Sequence, residues 1–166
     1  TVEMAVMEEK AAGGIILTAS HNPKQWNALK LLNHKGEFIS AEDGETVLQL
    51  AESAEIAFAT VDHLGTRTQK DYLPMHIEKI LALELVKPEL IAAQKYKIAI
   101  DAVNSVGGIA VPALLKALGV EEVIEINCEP TGHFAHNPEP LPEHLGQIAS
   151  EVKSSKCDLG IVVDPD

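Results

Sequence analysis

The sequence predicts an α/β protein built on mixed, largely parallel sheets flanked by helices, and three observations predict it. Helical and extended patterns alternate along the chain. Apolar runs such as Gly14-Ile15-Ile16-Leu17 and Leu159-Gly160-Ile161-Val162-Val163 have the length and continuity of strands buried in a parallel sheet. Both runs break at their carboxyl ends into polar loops, Thr18-Ala19-Ser20-His21-Asn22-Pro23 and Asp164-Pro165-Asp166, and in an open α/β sheet that end is where ligands bind.

Taken in order, residues 2–12 predict a helix capped by Thr1, with Glu3 complementing its dipole and Gly13-Gly14 stopping it before the strand at 14–17. Residues 29–32 continue the sheet, and Phe38-Ile39 beyond the Lys35-Gly36 turn predicts a short strand. Ser40 opens a helix to about residue 57, with Val47, Leu48, Leu50 and Ala51 as its buried face. A polar loop at 62–70 precedes a helix at 71–85, where Pro74 is admissible because it falls in the first turn. Near residues 93–95 a fresh β-α-β pattern begins, so the chain reads as two partial domains, 1–94 and 95–166. The second holds a strand at 97–102, a helix at 105–118 ended by Gly119, a strand at 122–127, a proline-rich loop at 129–142, a helix to about 154 and a last strand at 159–163.

Composition narrows the function. With 46% hydrophobic residues among 166, the chain can bury a core, while a formal charge of −12 argues against nucleic acid and against anionic membrane surfaces as partners. No apolar stretch reaches transmembrane length, and Cys128 and Cys157 lack motif spacing, which reads as reduced thiols in a cytoplasmic protein.

A serine displayed where a strand ends can be a turn residue, a hydrolase nucleophile or a phosphoryl carrier. A nucleophile elbow requires G-x-S-x-G, and Thr18 and Asn22 occupy those glycine positions. The second loop offers two carboxylates, Asp164 and Asp166, whose spacing can direct both at one cation. Such hard oxygen donors suit Mg²⁺, which takes one or two carboxylates together with phosphate oxygens. A phosphoserine beside aspartates needs a divalent cation to offset the repulsion, so the two loops make chemical sense together.

Thr-Ala-Ser-His-Asn-Pro at 18–23 resembles the active-site signature of the α-D-phosphohexomutases, the family of phosphoglucomutase, phosphomannomutase and phosphoglucosamine mutase. The resemblance continues through Trp26-Asn27-Ala28-Leu29-Lys30, with Ala28 where glycine is more usual, through Asp101-Ala102-Val103-Asn104-Ser105-Val106-Gly107-Gly108, and into Asp164-Pro165-Asp166, which is similar to the start of the family's D-x-D-x-D-R metal loop. It implies that Ser20 is the phosphoserine, that Asp164 and Asp166 with the Ser20 phosphate hold Mg²⁺, that Lys30 is a general acid or base, and that His21 lies in the active-site shell. The implied reaction interconverts hexose 1- and 6-phosphates through a bound hexose 1,6-bisphosphate. Phosphoglucosamine mutase is the favoured branch, because Trp-Asn-Ala-Leu-Lys looks like some of its members.

The third aspartate, the arginine after it, and the third and fourth domains fall outside the sequence, so the expectation is a segment of a larger enzyme that is inactive alone. The competing expectation is a catalytically silent sugar-phosphate-binding or assembly module.

Other patterns have plainer readings. Asn104-Ser105-Val106-Gly107-Gly108 lacks G-x-G-x-x-G and reads as a helix start. His133-x-x-His136 has no third ligand at zinc spacing and reads as a solvated loop. Trp26 reads as packing beside a turn, and His34, His63, His76 and His144 form no pattern.

Overall fold

Lys97-Ile98-Ala99-Ile100-Asp101 forms strand β3 (Lys97–Asp101), and from Ile98 onward every residue of it is buried. It owes that burial to its place between β4 (Glu122–Ile126) and β5 (Leu159–Val162), both parallel to it, in the order β4-β3-β5. In register, Ile100 lies opposite Glu125 on one side and Ile161 on the other.

The two-residue period of the strand then divides the core. Ile98 and Ile100 pack with Leu115 of α5 (Gly107–Ala117), Val120, and Ile91 of α4 (Pro88–Gln94) on one face, while Ala99 packs with Ile126 and with Ile148 of α6 (Gly146–Ser154) on the other. The result is a three-layer α/β/α arrangement, as expected from the strand-helix alternation. Small residues permit the close approaches: a Cβ on Gly160 would lie 2.9 Å from Val152 Cγ2, and one on Gly108 would overlap the Cys128 carbonyl oxygen.

The computed structural model describes residues 1–22, 25–53 and 56–165. The chain divides into two compact units, residues 1–16 with 30–72, and residues 17–29 with 73–166. The restart of the β-α-β pattern at 93–95 lies inside the second unit, which also takes in α3 (Leu73–Leu81) and α4.

Helix α1 (Val2–Glu8) ends earlier than the sequence predicts, because Lys10 turns left-handed (φ 49°) and Ala11 N–H closes onto the Val6 carbonyl at 3.0 Å. Strands β1 (Gly14–Thr18) and β2 (Ala28–Leu32) pair as a two-stranded sheet. Val6 and Leu32 are buried, and Gly14 faces both, so close that a Cβ there would lie 2.7 Å from Val6 Cγ2. Against the interior-strand expectation, β1 buries only alternate positions, and Ile15 and Leu17 are exposed. The expected strand at Phe38-Ile39 reduces to one antiparallel bridge, Leu32 to Phe38, after a turn in which the Asn33 side chain accepts the Lys35 and Glu37 amides.

Helix α2 (Ala41–Glu52) begins as expected at Ser40, whose hydroxyl accepts the Asp43 amide while Asp43 returns a carboxylate to the Ser40 amide. It stops at Ser53, short of residue 57, and residues 54–55 lie outside the described residues. Its predicted face is not buried: Val47, Leu48 and Leu50 are exposed.

Near the end of this unit, Lys70 Nζ lies 2.7 Å from both carboxylate oxygens of Glu9, and the Tyr72 hydroxyl donates to one of them. The Lys70 hydrogen bond foremost, then that of Tyr72, holds the Glu9 carboxyl below its ordinary range. Because the cluster is on the surface, it contributes little to stability.

The expected helix at 71–85 shortens in the structure to α3, and after a turn at 82–87 a helix the sequence reading did not include, α4, starts at Pro88 in its first turn. Among the described residues, no helix is long and apolar enough to cross a membrane.

Candidate active site

Ser20 is placed by the turn that ends β1. The buried Thr18 hydroxyl accepts the Ser20 amide at 2.8 Å, and the Asn22 amide and side chain both donate to the Ala19 carbonyl at 3.1 Å. These bonds hold Ser20 at φ 52°, a left-handed conformation that a residue other than glycine adopts at a cost, and such conformations cluster at functional sites. The hydroxyl is half-buried and lies 3.5 Å from Nδ1 of the exposed His21. Pro23, the last residue of the motif, lies outside the described residues. Trp26 is 61% exposed, so it does not pack beside the turn in the way its plainer reading expects. Lys30 occupies the centre of β2 and is half-buried.

Asp164 follows β5 at a position the topology singles out. Helix α5 carries the chain from β3 to β4 on one side of β3, and α6 returns it to β5 on the other. The loop leaving β3 and the residues after β5 therefore lie side by side, and the crevice they border is at the carboxyl end of the sheet, where open α/β sheets bind ligands. The two loops meet closely: a Cβ on Gly107 would overlap Val163 Cγ2, and the Ser105 hydroxyl, which donates to the Ala102 carbonyl at 2.8 Å, lies 3.5 Å from the Asp164 carbonyl oxygen. Asp166 lies outside the described residues, and among the described residues no three His, Cys, Asp or Glu side chains converge as a metal site. The segment carrying Ser20 and His21 belongs to the same compact unit as Asp164, whereas Lys30 belongs to the other unit.

Two residues with no role in the sequence reading lie at the same sheet end. Asp101, 1% exposed, accepts the Val103 amide and Asn127 Nδ2 on Oδ1, both at 3.1 Å, and meets His136 Nε2 at 3.0 Å on Oδ2. His136 is thus drawn out of the solvated loop expected for it, while His133 remains exposed. The pairing joins residues 35 apart, so no local spacing could have announced it. Beside them Val103 (φ 47°), Asn104 (φ 56°) and Asn127 (φ 50°) are left-handed. The Asn104-to-Gly108 stretch, as expected, opens a helix, α5. Nearby, burial foremost and then Glu125 push the Cys128 thiol above its ordinary range.

The family model for alpha/beta/alpha domain I of phosphoglucomutase/phosphomannomutase matches residues 1–57, and that for alpha/beta/alpha domain II matches residues 74–166. A phosphoglucomutase/phosphomannomutase of Thermococcus kodakarensis is 33% identical over 99% of this chain and 36% of its own length. A Methanopyrus kandleri protein named "Probable phosphoglucosamine mutase" is 30% identical over 100% of this chain and 36% of its own. The crystal structure of a phosphoglucomutase/phosphomannomutase family protein from Burkholderia thailandensis superposes with a TM-score of 0.75 at 27% identity, covering 93% of this chain and 31% of that one. The chain therefore spans about a third of the length of these relatives. With both family models in chain order and the fold matched along almost its whole length, the chain belongs to the phosphoglucomutase/phosphomannomutase family.

Proposed function

We propose that the complete polypeptide is a cytoplasmic phosphohexomutase that interconverts hexose 1-phosphate and hexose 6-phosphate through a phosphoserine at Ser20. The observation that carries this reading is the Thr18–Asn22 hydrogen-bonded turn, which holds Ser20 left-handed at the carboxyl end of β1. In the forward half-reaction a sugar hydroxyl oxygen attacks the phosphorus, the bond from phosphorus to Ser20 Oγ breaks, the hydroxyl proton passes to Lys30 acting as base, and Ser20 Oγ takes up a proton from solvent as it leaves. The resulting hexose 1,6-bisphosphate turns in the site and returns its other phosphoryl group to Ser20. His21, beside the serine, helps orient the group being transferred.

The donors agree in kind with Mg²⁺: a strand-end carboxylate, Asp164, with Asp166 and an oxygen of the Ser20 phosphate. When bound there, the cation would offset the charge of the phosphoserine and of the phosphoryl group in transit. Of the possible substrates we favour glucosamine phosphate, from the Trp26-to-Lys30 sequence; glucose and mannose phosphates are the alternatives. The 166 residues by themselves are read as inactive, since a third of the relatives' length offers little to grip the sugar and its distal phosphate.

Incubation of the complete polypeptide with a hexose 1,6-bisphosphate, followed by peptide mapping, tests the reading, with the phosphoryl group expected on Ser20. A phosphoryl group found elsewhere, or none at all while hexose phosphates still interconvert, would refute it. A labelled Ser20 without turnover on glucose, mannose or glucosamine phosphate would favour a silent binding module instead. Lys30→Ala should leave labelling detectable and slow turnover by about 10²-fold or more. Near-normal turnover in that variant would remove Lys30 from the proton path. For the isolated 166 residues, a coupled assay with Mg²⁺ and bisphosphate is expected to show no turnover. Rates matching the complete polypeptide would show these residues to be sufficient.

A further inference from the structure

We infer that Asp101 is a positioning residue, whose buried carboxylate, clamped by His136, sets the loop after β3, against which the Asp164 loop is seated by the Val163 amide bond to the Asp101 carbonyl and by the close approach of Val163 to Gly107. The inference rests on the proposed role of that crevice in phosphoryl transfer.

The argument begins with backbone cost. Val103 and Asn104 are consecutive left-handed residues, and Val103 is β-branched, so the segment persists only if its surroundings impose it. What imposes it is on every side. Asp101 Oδ1 accepts the Val103 amide at 3.1 Å, Asn127 O accepts the Asn104 amide at 2.6 Å, and Asn104 itself bonds the Glu129 carbonyl through its side chain and the Gly132 amide through its carbonyl. The outcome is that Ser105 is buried, with its hydroxyl 3.5 Å from the Asp164 carbonyl.

Asp101 is the centre of this arrangement, and His136 keeps it in place. His136 Nδ1 faces the Asn137 carbonyl at 2.8 Å and Nε2 faces the Asp101 carboxylate at 3.0 Å, so both ring nitrogens meet acceptors. A neutral imidazole has one donor and one acceptor, and only a ring with a proton on each nitrogen donates to both. The contact is sheltered from water, because Asp101 is 1% and His136 17% exposed. Through it the proline-rich loop is tied to the end of the central strand. A carboxylate this buried would ordinarily suggest a catalytic or ligand role. Among the described residues its oxygens meet the Val103 amide, Asn127 Nδ2 and His136 Nε2, contacts through which a carboxylate can order its neighbours.

The amide variant separates the two roles. In Asp101→Asn the side-chain oxygen still accepts from Val103 and Asn127, and the new amide nitrogen donates to a neutral His136 that keeps its bond to Asn137. The geometry survives although the charge is lost. In Asp101→Ala both are lost.

The experiment measures kcat and KM of the complete polypeptide together with amide hydrogen exchange at Val103, Asn104 and residues 129–136. Asp101→Asn is expected to keep kcat within about threefold, and Asp101→Ala to lower it about 10²-fold with KM little changed, as for a misplaced rather than a missing reactive group. Exchange at Val103 and Asn104 should quicken in Asp101→Ala only. His136→Ala, whose ring reaches solvent, should quicken exchange at 129–136 and lower kcat about tenfold, and it decides the matter if Asp101→Ala does not fold. Asp101→Asn as inactive as Asp101→Ala, with exchange unchanged, would overturn positioning in favour of a role for the charge. Unchanged exchange and kcat in His136→Ala would overturn the clamp. Absence of wild-type turnover would sink the proposed function, whereas the exchange measurements would still report on the clamp separately.

Discussion

Ser20→Ala in the complete polypeptide is expected to abolish interconversion of hexose phosphates, lowering turnover by at least about 10⁴-fold, because the group that carries the phosphoryl is gone rather than displaced. The fold should be indifferent to the change. Ser20 contributes its amide, not its hydroxyl, to the turn with Thr18, and alanine keeps that amide. The left-handed backbone, φ 52°, costs alanine about what it costs serine, so a loss of activity cannot be charged to new strain. Ser20→Gly sharpens the test, since glycine takes that conformation freely. Both variants should be equally inactive and should fail to take up a phosphoryl group from a hexose 1,6-bisphosphate. Activity retained in either, measured by a coupled assay, would mean that Ser20 is only a turn residue.

The second large effect is on stability. Gly108→Ala is expected to destabilise the protein by about 3 kcal/mol or more, at the severe end of overpacking substitutions. The added carbon would overlap the carbonyl oxygen of Cys128 and lie too close to its Cα, and backbone atoms cannot swing aside as a side chain can. Relief would require α5 to lift from the end of β4, opening the core where Leu115 packs on Ile98 and Ile100. Gly146→Ala is the internal control: it lies at the start of α6 with nothing within 4 Å of the added carbon, so chemical denaturation should find it neutral or slightly stabilised. Equal stability of the two variants would contradict the close approach of α5 to the Cys128 backbone.

The second unit was the more legible in sequence because its signals are local. The apolar periods of β3, β4 and β5 and the Gly119 stop (φ 84°) of α5 each correspond to an element within a residue or two of expectation. Where reading failed, the cause was contact rather than propensity. Val47, Leu48 and Leu50 follow a helical period that predicts a buried stripe, but a period states only which residues share a face, not that something covers it. Within 71–94 the apolar spacing of Ile77, Ile80 and Leu81 ran on to Leu83, and the turn at 82–87 that separates α3 from α4 carries no glycine to mark it. In the site, Ser20 and Asp164 were legible because a strand end and a motif coincide at each. Asp101 and His136 were not, since their meaning arises only when the fold brings residues 35 positions apart within 3.0 Å.

The order β4-β3-β5 also governs how this sheet can assemble as the chain leaves the ribosome. Strand β3 is made first of the three and can close on β4 through a single right-handed helical crossover, a comparatively local event. Its other edge pairs with β5, the last element in the sequence, and until that element emerges Ile98 and Ile100 present unpaired amides and carbonyls on an apolar strand. The nascent intermediate is therefore a half-sheet with the strand that ends most deeply buried at an open border, the kind of species on which chaperones act. Because the Val163 amide bonds to the Asp101 carbonyl, the same late pairing joins the strand end that leads to Asp164 onto the central strand, so the crevice cannot take shape before β5 has paired.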